Sequence, residues 1–204
     1  MLRTLTATLV ADGSSDRALK PILELLFNEH CPVPYRIHFA QALSTGAGLA
    51  IRLARAINDF PCELLLVHRD AEGAEPHQRE QEIQSALASL PLLPAAVCVV
   101  PVRMTEAWLL MDERAIRAAV GNPNGAESLQ LPAKNRVEKI DAKDALMKAI
   151  QAASGLGQRR LRRFAPDHFR HRVAELLDDL RLLRGLPSFC KLETTLAEQL
   201  QQNA

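Results

Sequence analysis

Acidic residues follow three of the chain's short apolar runs, at the points where each run gives way to a turn. Asp12 follows the first run in VADGSSD, and Asp70 and Glu72 follow a later one in HRDAEG. Glu106 follows a third in RMTEAW. Carboxylates that gather in one place repel one another unless a cation or a shared proton offsets their charge. Oxygen ligands of this kind suit Mg²⁺ or Mn²⁺, which can bridge a phosphate and orient an attacking water.

The elements that must position these acids alternate between strand and helix. The β-like runs are residues 5–10, 35–40, 64–67 and 97–102. Apolar residues at helical spacing occupy residues 19–27, 49–57 and 83–90, and a further helix is predicted to start at Thr105. This alternation predicts a parallel α/β sheet. Because ligand crevices of such sheets lie outside the carboxyl ends of the strands, we expect the acids to share one edge.

The second half of the chain has only helical patterns. Residues 121–135 are rich in Gly, Pro and Asn, which is typical of a loop. Beyond them we expect Asp141 to cap one helix, the apolar spacing of residues 173–180 to form a second, and Ser188 to cap a third. No internal repeat interrupts this pattern. The second half is therefore predicted to be α-helical.

Length and charge limit the protein class. The 204 residues suit an α/β core over residues 1–120 with a helical region, residues 121–204, packed on it. The 25 basic and 24 acidic residues leave a net charge of +1, which excludes histone-like binding of nucleic acid but permits a local basic patch.

Location and redox state are predicted from what the sequence shows of targeting segments and cysteines. No run approaches the ~20 apolar residues of a membrane helix, and no signal peptide is evident. The four cysteines are far apart and include no CxxC pair, which favours buried, reduced thiols over a zinc site. We therefore expect a cytoplasmic protein that does not contact a membrane.

Short motifs resemble those of the toprim (topoisomerase-primase) fold. VADGSSD resembles its first motif, usually Glu-Gly followed two residues later by Asp, and HRDAEG resembles its Asp-x-Asp motif. TEAWLLMD resembles the Glu-Ala-Trp-Leu signature of a toprim-like family of bacterial proteins of unknown function, which are often encoded beside ATPases in phage-defence settings. LPSFCKL resembles the C-terminal segment of that family. The resemblance implies a toprim-like sheet of about four strands flanked by helices.

The same resemblance implies a metal-dependent nuclease. Asp12, Asp70 and Glu72 would hold one or two Mg²⁺ (or Mn²⁺) ions, Glu106 would be a further ligand or base, and Asp16 would orient the first motif and contact substrate. Two departures from the family pattern are visible. Asp12 stands where toprim enzymes usually carry the longer Glu, and the second motif is Asp-x-Glu.

Basic residues form a second set of candidates for substrate binding. Four arginines lie within five residues: Arg159, Arg160, Arg162 and Arg163. Residues 158–184 hold eight arginines against four acids, so this stretch could neutralise phosphates or, equally, be a solvated linker. His68, Arg69 and Arg103 adjoin the acidic motifs and are further candidates for contact with a substrate phosphate.

Other interpretations remain open at this point. Asp16 and Glu106 fall in helical first turns, where an acid is favoured without any function, and a histidine at a strand end is more often structural. A non-catalytic toprim-like subunit of an ATPase-containing complex is the main alternative to a nuclease. A small-molecule phosphohydrolase is a third. The partners expected are nucleic acid and a separate ATPase subunit.

Overall fold

The computed structural model describes residues 3–40, 46–71, 75–91 and 94–203. Within these ranges, four strands form one parallel sheet in the order β2-β1-β3-β4. The strands are β1 (Leu5–Val10), β2 (Tyr35–Phe39), β3 (Leu64–His68) and β4 (Ala95–Val99). The predicted α/β class is confirmed. The fourth strand lies earlier than residues 97–102, because Pro101 has no N–H to donate to a ladder.

Helices cover both faces of the sheet. The helices of the first half are α1 (Leu19–His30), α2 (Leu49–Asp59) and α3 (Pro76–Ala88). Apolar residues of α1 share one cluster with Leu64 and Leu66, whereas those of α2 and α3 share another with Leu65 and Val67. Alternate residues of β3 therefore enter different cores, which explains why its sequence is a continuous apolar run.

The order of the strands creates a reversal between β1 and β3. From β1 the chain first adds β2 on one side and then returns across β1 to add β3 and β4 on the other. Ligands of open α/β sheets bind at such a reversal, outside the carboxyl ends of the two strands. Asp12 and Asp70 follow these two strands, so the topology brings both to the edge that the sequence predicts.

The second half is helical, as predicted, and it packs on the α1 face of the sheet. Its helices are α4 (Glu106–Leu109), α5 (Glu113–Ala119), α6 (Ala142–Ala153), α7 (Gln158–Leu161), α8 (Arg170–Leu176) and α9 (Pro187–Gln202). Trp108 on α4 stacks edge-on against Phe189 on α9, at 5.4 Å between ring centroids, inside the same hydrophobic cluster as α1. The sheet and the helical region therefore share one core.

Of the two predicted caps in this region, one is confirmed and one is wrong. Asp141 caps α6 and accepts the N–H of Asp144 at 3.0 Å. Ser188, in contrast, lies inside the first turn of α9, because Pro187 starts that helix. The Ser188 hydroxyl instead accepts the indole N–H of Trp108 at 3.1 Å and donates to the carboxylate of Glu138. This serine links three elements rather than capping one.

Two further expectations differ in detail. The helix expected over residues 173–180 ends at Leu176, because Asp179 accepts the N–H of Arg181 and starts a separate 3-10 segment, Leu180–Gly185. The four cysteines are free thiols but are half-buried rather than buried, and burial raises the pKa of Cys62 and Cys98. Among the described helices, none combines the length and apolar character that a bilayer crossing requires.

Candidate metal centre at the carboxyl edge of the sheet

His68 is the buried centre of a cluster at this edge. It is the last residue of β3, and its side chain is 0% exposed. Its Nδ1 lies 2.9 Å from the carbonyl oxygen of Val99 on β4. Its Nε2 has no hydrogen-bond partner among the described residues and lies 3.5 Å from Asp70 Oδ1 and 3.9 Å from Asp16 Oδ2. A buried nitrogen without a partner therefore faces two carboxylates.

Asp16 is held in place by the turn that follows β1. It lies in a 3-10 segment, Ser14–Ala18, and its Oδ2 accepts the N–H of Gly13 at 2.8 Å. This is the helical first-turn position that the sequence indicates for Asp16. The turn also directs the carboxylate towards His68, so that Asp16, His68 and Asp70 each offer a ligand atom within 4.8 Å of the others.

Asp70 follows β3 by two residues and is largely buried. Its Oδ1 accepts the backbone N–H of Thr105 at 3.2 Å. Burial is the main cause that raises its pKa from 3.8 to about 6, and the carboxylates of Asp16 and Glu106 raise it further, against the opposing influence of His68. The protein thus disfavours a negative charge at Asp70, which a bound cation would offset.

Glu106 supplies negative charge close to Asp70 but has a basic partner of its own. It opens α4 and is buried, and it accepts a hydrogen bond from Arg170 of α8. Arg170 is partly buried, with 12% of its side chain exposed, and lies 3.7 Å from Asp167. Glu106 and Arg170 therefore form a largely buried ion pair that joins the helical region to the edge of the sheet.

Asp12, which the resemblance makes the first metal ligand, is bound by arginines. Arg52 of α2 donates to Oδ1 at 2.9 Å, and the Nε of Arg69 donates to Oδ2 at 2.9 Å. Arg69 also contacts Glu82 of α3. These partners lie on the α2 and α3 face of the sheet, whereas Asp16 and Asp70 surround His68. The structure therefore groups Asp70 with Asp16 and His68, and it gives Asp12 cationic partners instead.

The remaining candidates are placed as follows. Arg103 makes a long contact, 3.5 Å, with the carbonyl of Lys139, and Glu72 lies outside the described residues. The arginine patch, which comprises Arg159, Arg160, Arg162 and Arg163, is exposed on α7 and the turn after it. Throughout the described part of the chain no carboxylate forms an ion pair with these four arginines. The patch is thus available to an external anion.

The arginine patch belongs to the chain segment that leads into the cluster. Only six residues lie between Arg163 and Arg170, which keeps their Cα atoms within about 25 Å of each other. Helix α8, which carries Arg170, also packs against the 3-10 segment that holds Asp16. A groove of about 840 Å³ between α6 and residues 127–130 extends to Leu161 of α7, and its lining does not include the cluster.

Sequence reasoning missed two arginines of the site. Arg52 is buried and also donates to the carbonyl of Ala11. The spacing of the sequence would have predicted this burial, since an arginine three residues after Leu49 and one before Leu53 lies on the apolar face of α2. Arg170 belongs to the arginine-rich stretch but pairs with Glu106 rather than facing solvent. No spacing in the sequence distinguishes it from its exposed neighbours.

Comparisons of the chain with protein-family models, with curated proteins and with solved structures found no match. Its class is therefore given by its own fold and site. It is an α/β protein with a four-stranded parallel sheet, and a histidine and two carboxylates meet at the carboxyl edge of that sheet.

Proposed function

We propose that this protein is a metal-dependent phosphoryl-transfer enzyme of the nuclease type, which holds a divalent cation between Asp16, His68 and Asp70. The observation that carries the proposal is the Nε2 of His68, which is buried, has no hydrogen-bond partner among the described residues and faces two carboxylates. Structural histidines normally satisfy both ring nitrogens or expose one to water. A cation would satisfy this one and would offset both negative charges.

The donor set fits a catalytic cation. One nitrogen and two carboxylate oxygens are three protein ligands, which leaves coordination positions for water and for a substrate oxygen. The chemistry supplied by such a cation is the activation of a bound water and the neutralisation of charge on a phosphodiester. The residues around it have separate tasks: the Val99 carbonyl orients His68, the Thr105 N–H orients Asp70, and Arg170 neutralises Glu106.

The arginine patch supports a nucleic acid as the substrate. Four exposed arginines, which have no acidic partner in the described part of the chain, form a surface that could neutralise several phosphates at once, and a single small phosphoester does not require this. The resemblance to toprim-like nucleases favours the same substrate class, and it is also the basis for proposing a role in phage defence beside a separate ATPase.

The test combines cleavage and binding. Purified protein is incubated with single- and double-stranded DNA and RNA in the presence of Mg²⁺, Mn²⁺ or Zn²⁺, and its affinity is measured over a series of salt concentrations. We expect cation-dependent cleavage that Asp70→Asn abolishes. Replacing all four arginines of the patch with Gln is expected to reduce the slope of log K against log salt by about 3.

The matched control carries the same change at four exposed arginines elsewhere: Arg36, Arg55, Arg172 and Arg181. Cleavage that persists in Asp70→Asn would contradict the metal role, and equal effects of both quadruple variants would contradict the binding surface.

A non-catalytic binding subunit is the second candidate. It is favoured by the contacts of Asp12, whose two carboxylate oxygens accept hydrogen bonds from Arg52 and Arg69. The toprim pattern requires a free acid at this position. This alternative predicts that the wild-type protein binds a cation and nucleic acid but cleaves none of the four substrates. The cleavage assay separates the two candidates directly.

A further inference from the structure

We propose that the cation held by Asp16, His68 and Asp70 is Zn²⁺, in preference to Mg²⁺. The inference rests on the site of the proposed function but goes beyond it, since phosphoryl transfer is compatible with either of these ions. It follows from the tautomer of the His68 ring and from the spacing of the three ligand atoms.

The hydrogen bond to Val99 determines the tautomer of the His68 ring. A backbone carbonyl only accepts, so the contact at 2.9 Å requires a proton on Nδ1 of His68. In the neutral ring, Nε2 then carries a lone pair that points towards Asp16 and Asp70. A carbonyl or carboxylate on the second ring nitrogen is the usual arrangement behind a metal-binding histidine, because it fixes both the tautomer and the orientation.

The distances around Nε2 leave this nitrogen without a hydrogen bond among the described residues. They are 3.5 Å to Asp70 Oδ1 and 3.9 Å to Asp16 Oδ2, both too long or too poorly aligned for a hydrogen bond. All three ligand atoms lie within 4.8 Å of one another.

The distances between the ligand atoms are consistent with Zn²⁺. With ligand bonds of about 2.1 Å, a tetrahedral ion separates neighbouring ligand atoms by about 3.4 Å. The distance of 3.5 Å between His68 and Asp70 is close to this value, and that between His68 and Asp16 is 3.9 Å. Imidazole nitrogen suits Zn²⁺, whereas Mg²⁺ prefers an octahedral shell of oxygens at 2.0–2.1 Å.

Calorimetric titration of the chelator-treated protein with Zn²⁺, Mn²⁺ and Mg²⁺ tests this preference without any assay of activity. We expect one equivalent of Zn²⁺ to bind at least about tenfold more tightly than Mg²⁺. His68→Gln is expected to remove that advantage, whereas His38→Gln, at a histidine on β2 that lies against Phe60, is expected to retain it. Because His68 is buried, circular dichroism is recorded to check that His68→Gln is folded. Independently of that variant, the ring nitrogens of His68 are followed by NMR in the wild-type protein. There we expect the Nε2 resonance to shift when Zn²⁺ is added.

The possible results separate this inference from the proposed function. Equal or tighter binding of Mg²⁺, or a His68 Nε2 resonance that does not shift when Zn²⁺ is added, would overturn the inference and leave a Mg²⁺-dependent nuclease intact. Tight Zn²⁺ binding without cleavage of any substrate would support the inference and overturn the function. If no cation binds, both are wrong.

Discussion

Replacing Asp70 with Asn should stabilise the cation-free protein at neutral pH. Burial raises the pKa of Asp70 to about 6, so the folded protein binds a proton at this position more tightly than the unfolded chain does. The wild-type protein therefore loses stability as the pH rises from about 4 through 6, when the buried carboxyl ionises. Asn has nearly the same shape, is neutral at every pH and still accepts the N–H of Thr105.

The size of the effect follows from the two pKa values. The difference between 3.8 and about 6 corresponds to about 3 kcal/mol once the carboxyl is fully ionised. For a domain of this length, that free energy raises the melting temperature by about 6–12 °C. At pH 4 the carboxyl is protonated in the folded state, so the advantage of Asp70→Asn should almost vanish.

Thermal melting from pH 4 to pH 8, with and without a divalent cation, measures this prediction. A cation at 100 times its dissociation constant should stabilise the wild-type protein by about 2.7 kcal/mol and leave the stability of Asp70→Asn unchanged. The difference in free energy of unfolding between the two proteins should then nearly disappear. Asp178→Asn, at an exposed carboxylate that pairs with Arg114, is the control and should show no such pH dependence. If Asp70→Asn were no more stable than the wild-type protein at pH 8, the reasoning from burial would be refuted.

Three further substitutions test the contacts around the site. Arg170→Met should lower the free energy of unfolding in urea by about 3–5 kcal/mol because it leaves Glu106 buried without its partner, whereas Arg172→Met, at an exposed ion pair, should cost less than about 1 kcal/mol. Ser188→Ala should cost about 1–3 kcal/mol, read from the fluorescence of the single tryptophan, and a loss no larger than that of Thr195→Ala would contradict the link to Trp108 and Glu138. Asp12→Asn should lower stability by leaving buried Arg52 with a weaker partner but should retain cation affinity in calorimetry; loss of that affinity would restore Asp12 as a ligand.

Sequence patterns predict the order of strands and helices and the edge of the sheet where the acids gather. Residues 5–10 form β1 with the bounds that their apolar run predicts, because the run ends at a turn dipeptide, Asp12-Gly13, that no strand accommodates. Asp141 caps α6 as predicted, because a side chain that accepts a hydrogen bond three residues ahead needs no tertiary partner. Local rules are sufficient for features of this kind.

Sequence patterns do not predict which of the acids share a site, because this depends on long-range packing. Asp12 and Asp70 end neighbouring strands, yet Asp12 meets Arg52, 40 residues away, while Asp70 lies beside His68 and Asp16. Glu106 likewise meets Arg170 across 64 residues. Along a strand, successive side chains point to opposite faces of the sheet. The packing of the whole chain, however, decides which helix covers each face and which charged residues that helix brings. The sequence therefore predicted an acidic edge, and the packing of α2 and α8 selected the three residues that face one another within it.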